Sequence, residues 1–302
     1  MNEHGDGQHG RKLAFFTEAD SVAVVDARTA SDADPRVREI VAVVVKHLHE
    51  AVKELRLTPE EWFKAIDFLT RTGQMCNAWR QEYILLSDTL GVSMLVDAIH
   101  HDRPEGSTEN TVLGPFYVPN SPRYENGANI NLDGKGEPVV VRGRVLDQDG
   151  EPIAGALLEV WQANADGFYD VQQKGVQPDN NLRAAFTSDA NGAFWFRSAK
   201  PLYYPIPGDG PVGEMLAALG RSIHRPAHLH FMVSAPGFDT VITHIFTPDC
   251  PYLTKDPVFG VKETLIADFE QVDDPVEAER LGFTAPFWSV SWDFVMAPKA
   301  DA

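Results

Sequence analysis

Residues 138–145, Pro-Val-Val-Val-Arg-Gly-Arg-Val, set Val139, Val141 and Val145 in alternation with Arg142 and Arg144. A period of two with β-branched residues on one side is the pattern of a half-buried strand. A turn signal at Asp149-Gly150 follows, then a second apolar run from Ile153 to Trp161. Asn191-Gly192 is a hairpin signal between Ala185-Phe186-Thr187 and Phe194-Trp195-Phe196, because Asn-Gly supplies the positive φ of a type I′ turn. Further strands are predicted over 227–234, 241–246 and 288–296. Short strands with turn signals at this spacing predict an antiparallel β-sandwich, not a parallel sheet, across 138–302.

Upstream the period is that of helices. Asp34-Pro35 is a helix start, and Val37, Ile40, Val41, Val44, Val45 and Leu48 recur after it at three- and four-residue spacing. A second start stands at Thr58-Pro59-Glu60-Glu61, with Trp62, Ile66 and Phe68-Leu69 following; a third apolar helix is predicted from Trp79 to Ile99. From Asp102 to Glu137 the composition shifts to Gly, Pro and Asn, yet Phe116, Tyr117 and Tyr124 are too apolar for a bare linker. The expected architecture is mainly β with α. A helical N-terminal domain spans 1–101, an ordered connector 102–137, and a β-sandwich catalytic domain 138–302.

The chain has 302 residues, 43% hydrophobic, with 26 Lys and Arg against 44 Asp and Glu, a net charge of -18. A surface so acidic repels phosphate backbones and anionic headgroups, which argues against nucleic-acid binding. Cys76 and Cys250 stand far apart with no CxxC spacing, excluding a disulfide scaffold and a Cys-rich metal site. The polar, His- and Gly-rich start, Met1 to Lys12, has no apolar h-region after it, and no uninterrupted apolar run reaches membrane-spanning length. The expectation is a cytoplasmic protein with no membrane insertion.

His228-Leu229-His230 is the sharpest local feature. Pro226 cannot sit inside a central strand, so a strand begins there and puts 228 and 230 on one face, with Leu229, Phe231 and Val233 on the other. Two imidazoles so placed can reach one metal ion; hydrogen-bonded histidines are the competing reading. Neither His224 nor His244 supplies enough further histidines for a copper–zinc site, and no glutamate follows His230 closely enough for a cupin. A two-His-one-carboxylate iron(II) site stays open, with Asp166, Asp170 or Glu159 as third ligand. So does a tyrosine-ligated ferric site using Tyr169, Tyr203, Tyr204 or Tyr252, since a trivalent ion can hold phenolate well below its free pKa of about 10. His47 and His49 face different sides of a helix, and His100-His101 ends one; both pairs read as structural.

Leu113-Gly-Pro-Phe-Tyr117, Val160-Trp-Gln-Ala-Asn164 through Gly167-Phe-Tyr169, Tyr204-Pro-Ile-Pro207 with Asp209-Gly-Pro211, and Leu219-Gly-Arg221 into Arg225-Pro-Ala-His-Leu-His230 occur in this order. Together they resemble the intradiol ring-cleaving dioxygenases over nearly the whole chain. The resemblance implies one ferric ion per subunit on Tyr169, Tyr204, His228 and His230. Tyr204 would leave with a proton when the diol binds, and Arg225 would stabilise negative charge on the substrate ring. It also implies a homodimer through the N-terminal helices, often around a phospholipid. Catechol-cleaving members follow the second tyrosine with Gly-Cys-Pro and tend to carry glutamine where this chain has His244; here Pro205-Ile206-Pro207 follows Tyr204. The sequence is thus most similar to the hydroxyquinol-cleaving members, which yield maleylacetate. The implied pocket takes Leu85, Asp88, Val112, Leu113, Gly114, Pro115, Phe116, Ile206, Pro207 and Val258. Asp88 could accept a hydrogen bond from the third hydroxyl of hydroxyquinol and would stand unpaired beside catechol. Two alternatives are kept: catechol or chlorocatechol cleavage at the same site, and a non-catalytic transthyretin-like binding module.

Overall fold

The computed structural model describes residues 15–77, 80–100 and 104–299. The expectations for Met1 to Lys12, Trp79 and His101 fall outside the described residues. The chain forms two compact units, 1–70 and 71–302.

The first unit is helical. After α1 (Ser21–Asp26), α2 (Pro35–Leu55) starts where Asp34 accepts a hydrogen bond from the Val37 amide, with Pro35 in its first turn. Before α3 (Pro59–Gln74), the Thr58 hydroxyl accepts from the Glu61 amide while the Glu61 carboxylate accepts from the Thr58 amide. These reciprocal bonds satisfy donors that a helix start leaves orphaned. No residue of α2 is buried; Val37, Ile40, Val41, Val44, Leu48 and Val52 lie exposed along it.

The second unit carries the rest. The single third helix expected from the sequence is two, α4 (Glu82–Thr89) and α5 (Val92–His100), bent by 72° at Leu90-Gly91. Apolar spacing continues across that break, which is why the pattern alone reads as one helix.

The β-sandwich of the second unit is built on two sheets. One contains β2 (Leu157–Trp161), β3 (Arg183–Thr187), β7 (His228–Ser234) and β8 (Val241–Phe246), in the order β3-β2-β7-β8, all antiparallel. The other is organised around β1 (Pro138–Leu146), which pairs antiparallel with β4 (Ala193–Ala199). Its other edge takes β10 (Phe287–Ser291) and β11 (Phe294–Val295) in parallel, with β9 (Phe269–Val272) beyond β10. Two short strands, β5 (Tyr204–Pro205) and β6 (His224–Arg225), pair outside the sheets. Helices α6 (Pro211–Ala218) and α7 (Pro275–Arg280) were not read from the sequence.

The expected alternation holds. Val139, Val141 and Val145 of β1 meet Leu229, Phe231 and Val233 of β7 in one core with Phe186, Phe194 and Phe196. The hairpin at Asn191-Gly192 does not form as such. Its flanks, β3 and β4, belong to different sheets, and only Gly192 has a positive φ, 71°, where a type I′ turn needs two. Asp189 closes the turn instead, accepting from the Asn191 and Ala193 amides. The turn expected at Asp149-Gly150 does form: the Asp147 amide donates to the Glu151 carbonyl and Leu146 pairs antiparallel with Pro152 before the chain crosses to the other sheet.

Gly143 explains how one strand serves two parallel partners. The Trp292 amide donates to the Arg142 carbonyl as the chain passes from β10 to β11, and a Cβ on residue 143 would lie 1.7 Å from the Trp292 carbonyl oxygen. Gly143→Ala is expected to cost about 3 kcal/mol or more, beyond ordinary overpacking. A thermal melt should show it as a fall of roughly 6 °C or more; an unchanged melt would contradict this packing.

Candidate active site

The face of β7 turned away from the sandwich core carries His228 and His230, both about 2% exposed. Strand register extends this row, with Trp161 opposite His230 on one side and His244 on the other. Trp161 stacks on the His230 ring at 4.6 Å and 14°.

Two tyrosines from separate segments meet the histidines. The Tyr169 hydroxyl donates to the Tyr204 hydroxyl at 3.1 Å and lies 3.0 Å from His230 Nε2 and 3.5 Å from His228 Nε2. The two Nε2 atoms are 3.2 Å apart. His228 Nδ1 stands 2.6 Å from the Pro226 carbonyl, which fixes the proton on Nδ1 and leaves Nε2 as a lone pair. Burial, reinforced by the Arg225 charge, holds His228 well below the usual imidazole range; His230 and His244 are lowered chiefly by burial too. Burial, then the neighbouring Tyr204, pushes Tyr169 well above the ordinary phenol range. Two phenols and two neutral imidazoles converging in a buried pocket form a donor set that suits a trivalent cation, which ionised phenolates would largely neutralise.

A glycine in the connector and an arginine after α6 brace the surroundings of these groups. Gly114 (φ 76°) brings the connector against His230, where a Cβ would sit 3.1 Å from Cε1. Two residues on, Phe116 stacks on Tyr169 at 4.6 Å. The connector itself is pinned to a strand of each sheet. Thr108 exchanges bonds with Val295 of β11, and the Thr111 amide donates to Ile242 of β8. Arg221 donates to the Thr89 carbonyl at the end of α4 and to the Pro257 carbonyl, tying that helix to the 257 segment.

Arg225 sits opposite Tyr204 in the β5–β6 pair and is 4% exposed. Its guanidinium donates to both carboxylate oxygens of buried Asp256, at 3.3 and 3.5 Å. Asp256 also accepts from the Val258 and Gly260 amides. Burial works against the Arg225 charge, but Asp256 more than offsets it and keeps the guanidinium above its ordinary range. Asp88 on α4 feels the fields of both Arg225 and Asp256; burial raises its pKa, and a hydrogen bond from Ser93 opposes the rise.

The remaining expected pocket residues are distributed unevenly. Ile206 and Val258 are buried, while Leu85, Val112 and Gly114 are half-buried and Leu113, Pro115 and Pro207 exposed. The open alternatives separate cleanly. Asp166 pairs with Lys135, Asp170 with Arg183, and Glu159 accepts from the Tyr117 hydroxyl. Tyr203, His224 and Tyr252 form an aromatic cluster of their own. His47 pairs with Glu50, and His49 meets Phe16 edge-on. Thr111 and Asp256 were not picked out from the sequence, His244 was noted there only as a nearby histidine and as a position that differs from the catechol-cleaving members, and Trp161 only as part of a motif. The register of β8 is what puts His244 on the face of His230.

A mainly antiparallel sandwich with this Tyr–His pocket defines the intradiol ring-cleavage dioxygenases, and the chain belongs to that family. Residues 112–298 match the family model for a dioxygenase domain and 34–108 that for the catechol dioxygenase N terminus. The chain is 61% identical, over 94% of its length and 96% of the relative's, to hydroxyquinol 1,2-dioxygenase of Rhizobium sp.. It is 47% identical to 6-chlorohydroxyquinol 1,2-dioxygenase of Cupriavidus pinatubonensis, over 91% of this chain and 95% of the relative. Among solved structures, hydroxyquinol 1,2-dioxygenase from Pseudomonas putida superposes with a TM-score of 0.88 at 46% identity, covering 93% of this chain and 99% of that one. Catechol 1,2-dioxygenase of Acinetobacter radioresistens gives 0.83 at 28% identity, over 95% and 94%. The chain is therefore an enzyme, and the reading as a binding module falls.

Proposed function

We propose that the chain cleaves hydroxyquinol, 1,2,4-trihydroxybenzene, between its two adjacent hydroxyl-bearing carbons. Dioxygen is the co-substrate, and the product is 3-hydroxy-cis,cis-muconate, the enol form of maleylacetate. The reaction belongs to the degradation of aromatic compounds. The observation that carries this reading is the convergence of two buried phenols and two imidazole Nε2 atoms within 3.5 Å. Identity to hydroxyquinol-cleaving relatives supports the substrate.

In this reading Tyr169, Tyr204, His228 and His230 hold one iron(III) per subunit. Bound there, the ion would supply a Lewis-acidic centre for the diol oxygens. Tyr204, slightly less buried than Tyr169, takes up a proton released as the diol binds. Arg225 stands next to it and stabilises carbanionic charge on the ring in a site that excludes water. Asp256 orients the guanidinium. Gly114, Phe116, Ile206 and Val258 shape the pocket with Leu85, Val112, Leu113, Pro115 and Pro207. Asp88 accepts the third hydroxyl.

Asp88→Ala should narrow the preference for hydroxyquinol over catechol by about 10- to 100-fold, the worth of one buried hydrogen bond to substrate. Comparing kcat/KM on hydroxyquinol, catechol and chlorocatechol tests this together with the substrate assignment; equal rates on all three in the parent enzyme would overturn the assignment. The visible spectrum tests the metal. Purified protein should show a broad tyrosinate-to-iron(III) band that shifts with hydroxyquinol under anaerobic conditions, and a chain colourless after iron loading would refute the ferric site.

Dimerisation through the helical unit is part of the same proposal. The exposed Val37, Ile40, Val41, Val44 and Leu48 of α2 support it, and the same apolar face offers a place for a phospholipid chain. Two free cysteines, Cys76 and Cys250, support a reducing, cytoplasmic setting. Among the described residues no single helix is long and apolar enough to cross a membrane.

A further inference from the structure

We propose that His228, His230 and His244 form a second, alternative metal-holding set that takes a divalent transition-metal ion such as zinc or cobalt and leaves both tyrosines out. Donor atoms of the three histidines lie within 4.8 Å of one another, and all three rings are buried. Among the described residues this is the one grouping of His, Cys, Asp or Glu with such spacing. Ring centroids of His244 lie 4.1 Å from His230 and 4.7 Å from His228.

His244 is arranged as a ligand rather than as packing. Its Nδ1 is hydrogen-bonded with the Thr111 hydroxyl, while its Nε2 is buried without a hydrogen-bond partner. In the tautomer that donates its Nδ1 proton to Thr111, Nε2 presents a lone pair, the arrangement in which an outer hydrogen bond orients a metal-bound histidine. His228 is fixed in the same way by the Pro226 carbonyl. The 3.2 Å between His228 and His230 Nε2 matches the edge of a site with metal–nitrogen bonds of about 2.0–2.1 Å. Reaching three such bonds from the 4.8 Å limit asks for under about 1 Å of movement per ring.

The chemistry of the donors separates the two sets. Neutral imidazoles bind a cation without losing a proton, and they suit zinc, cobalt and copper. A phenol must ionise first, which a charge of three drives harder than a charge of two. The two sets share His228 and His230, so the ions are mutually exclusive. A divalent ion on the three histidines blocks iron loading, and His244 decides how tightly it does so. This inference rests on the ferric reading only for that contrast.

Titration of the metal-stripped full-length chain with cobalt(II), read by its visible ligand-field bands, tests it. Parent and Tyr169→Phe/Tyr204→Phe protein should bind cobalt alike, while His244→Gln and His244→Asn should bind it at least about tenfold more weakly. Both His244 variants, with a circular dichroism spectrum like the parent's, should still develop the tyrosinate-to-iron(III) band on ferric loading. Zinc(II) added first should slow that loading in the parent far more than in His244→Gln. Parent-like cobalt affinity in both His244 variants would overturn the proposal. So would loss of cobalt binding in the tyrosine double variant, or loss of both metals when His244 is replaced. A parent that binds cobalt through His244 but never develops the ferric band would leave this site standing and sink the iron(III) reading instead.

Discussion

Tyr169→Phe is expected to lower turnover at least about a thousandfold while moving the melting temperature by no more than roughly 4 °C. The two halves of that expectation come from different atoms of one side chain. The ring is fully buried and stacked with Phe116 at 4.6 Å, and phenylalanine preserves that packing. The hydroxyl bonds only Tyr204 and the histidine Nε2 atoms, so its removal costs about 1 kcal/mol of stability. The same hydroxyl, ionised, is one of two anionic donors in the proposed iron set, and no side chain described nearby can replace it. Steady-state rates with hydroxyquinol, iron content and the visible band are measured on the same preparation. A Tyr169→Phe enzyme that keeps its band and most of its rate would remove Tyr169 from the ligand set. A variant that merely unfolds would show the residue to be structural.

The second large effect centres on Arg225. Arg225→Met removes a guanidinium that is 4% exposed and leaves Asp256 buried without its cation. Stripping one partner from a buried ion pair costs about 3–5 kcal/mol. Turnover should fall a further 10²- to 10³-fold in the folded fraction, the loss typical of removing a donor that stabilises developing charge. Adding Asp256→Asn separates the two roles. Asparagine's side-chain oxygen can still accept from the Val258 or Gly260 amide, and a neutral pair no longer holds an uncompensated charge. Stability of the double variant should return to within about 1–2 kcal/mol of the parent, while turnover stays low. Denaturant melts and single-turnover rates on the four proteins of the cycle check this. Recovery of rate together with stability would mean that Arg225 serves the fold and not the reaction.

Much of the site was legible because its signals are local. Pro226 starts a strand, and the two-residue period then forces His228 and His230 onto one face; neither inference needs a distant residue. Tyr169 and Tyr204 could be named only through motif resemblance, since nothing in their immediate neighbours distinguishes them from Tyr203 or Tyr252, which pack around His224 instead. His244, Thr111 and Asp256 reach the site through strand register and loop path, with partners up to 133 residues away. The same limit mispaired the flanks of one turn. Asn191-Gly192 carries hairpin chemistry, but whether its flanks pair is decided by β2 and β1 claiming β3 and β4 for opposite sheets. Gly143 likewise looks like a weak point in a valine-rich strand until the Trp292 carbonyl is seen against it.

The pinning of the connector also sets an order of events during synthesis. Thr108 leaves the ribosome well before Val295, 187 residues later, to which it is bonded in the finished fold. A contact so remote in sequence is late to close, and chains that emerge N-terminus first hold such segments open in the meantime. Residues 108–116, which bring Gly114 to His230 and Phe116 to Tyr169, can be held by β8 at Thr111 once it has emerged, but their bond at Thr108 closes only with β11. The wall of the proposed pocket is thus completed in two stages, and a nascent chain has its histidine strand before the connector is fully tied down.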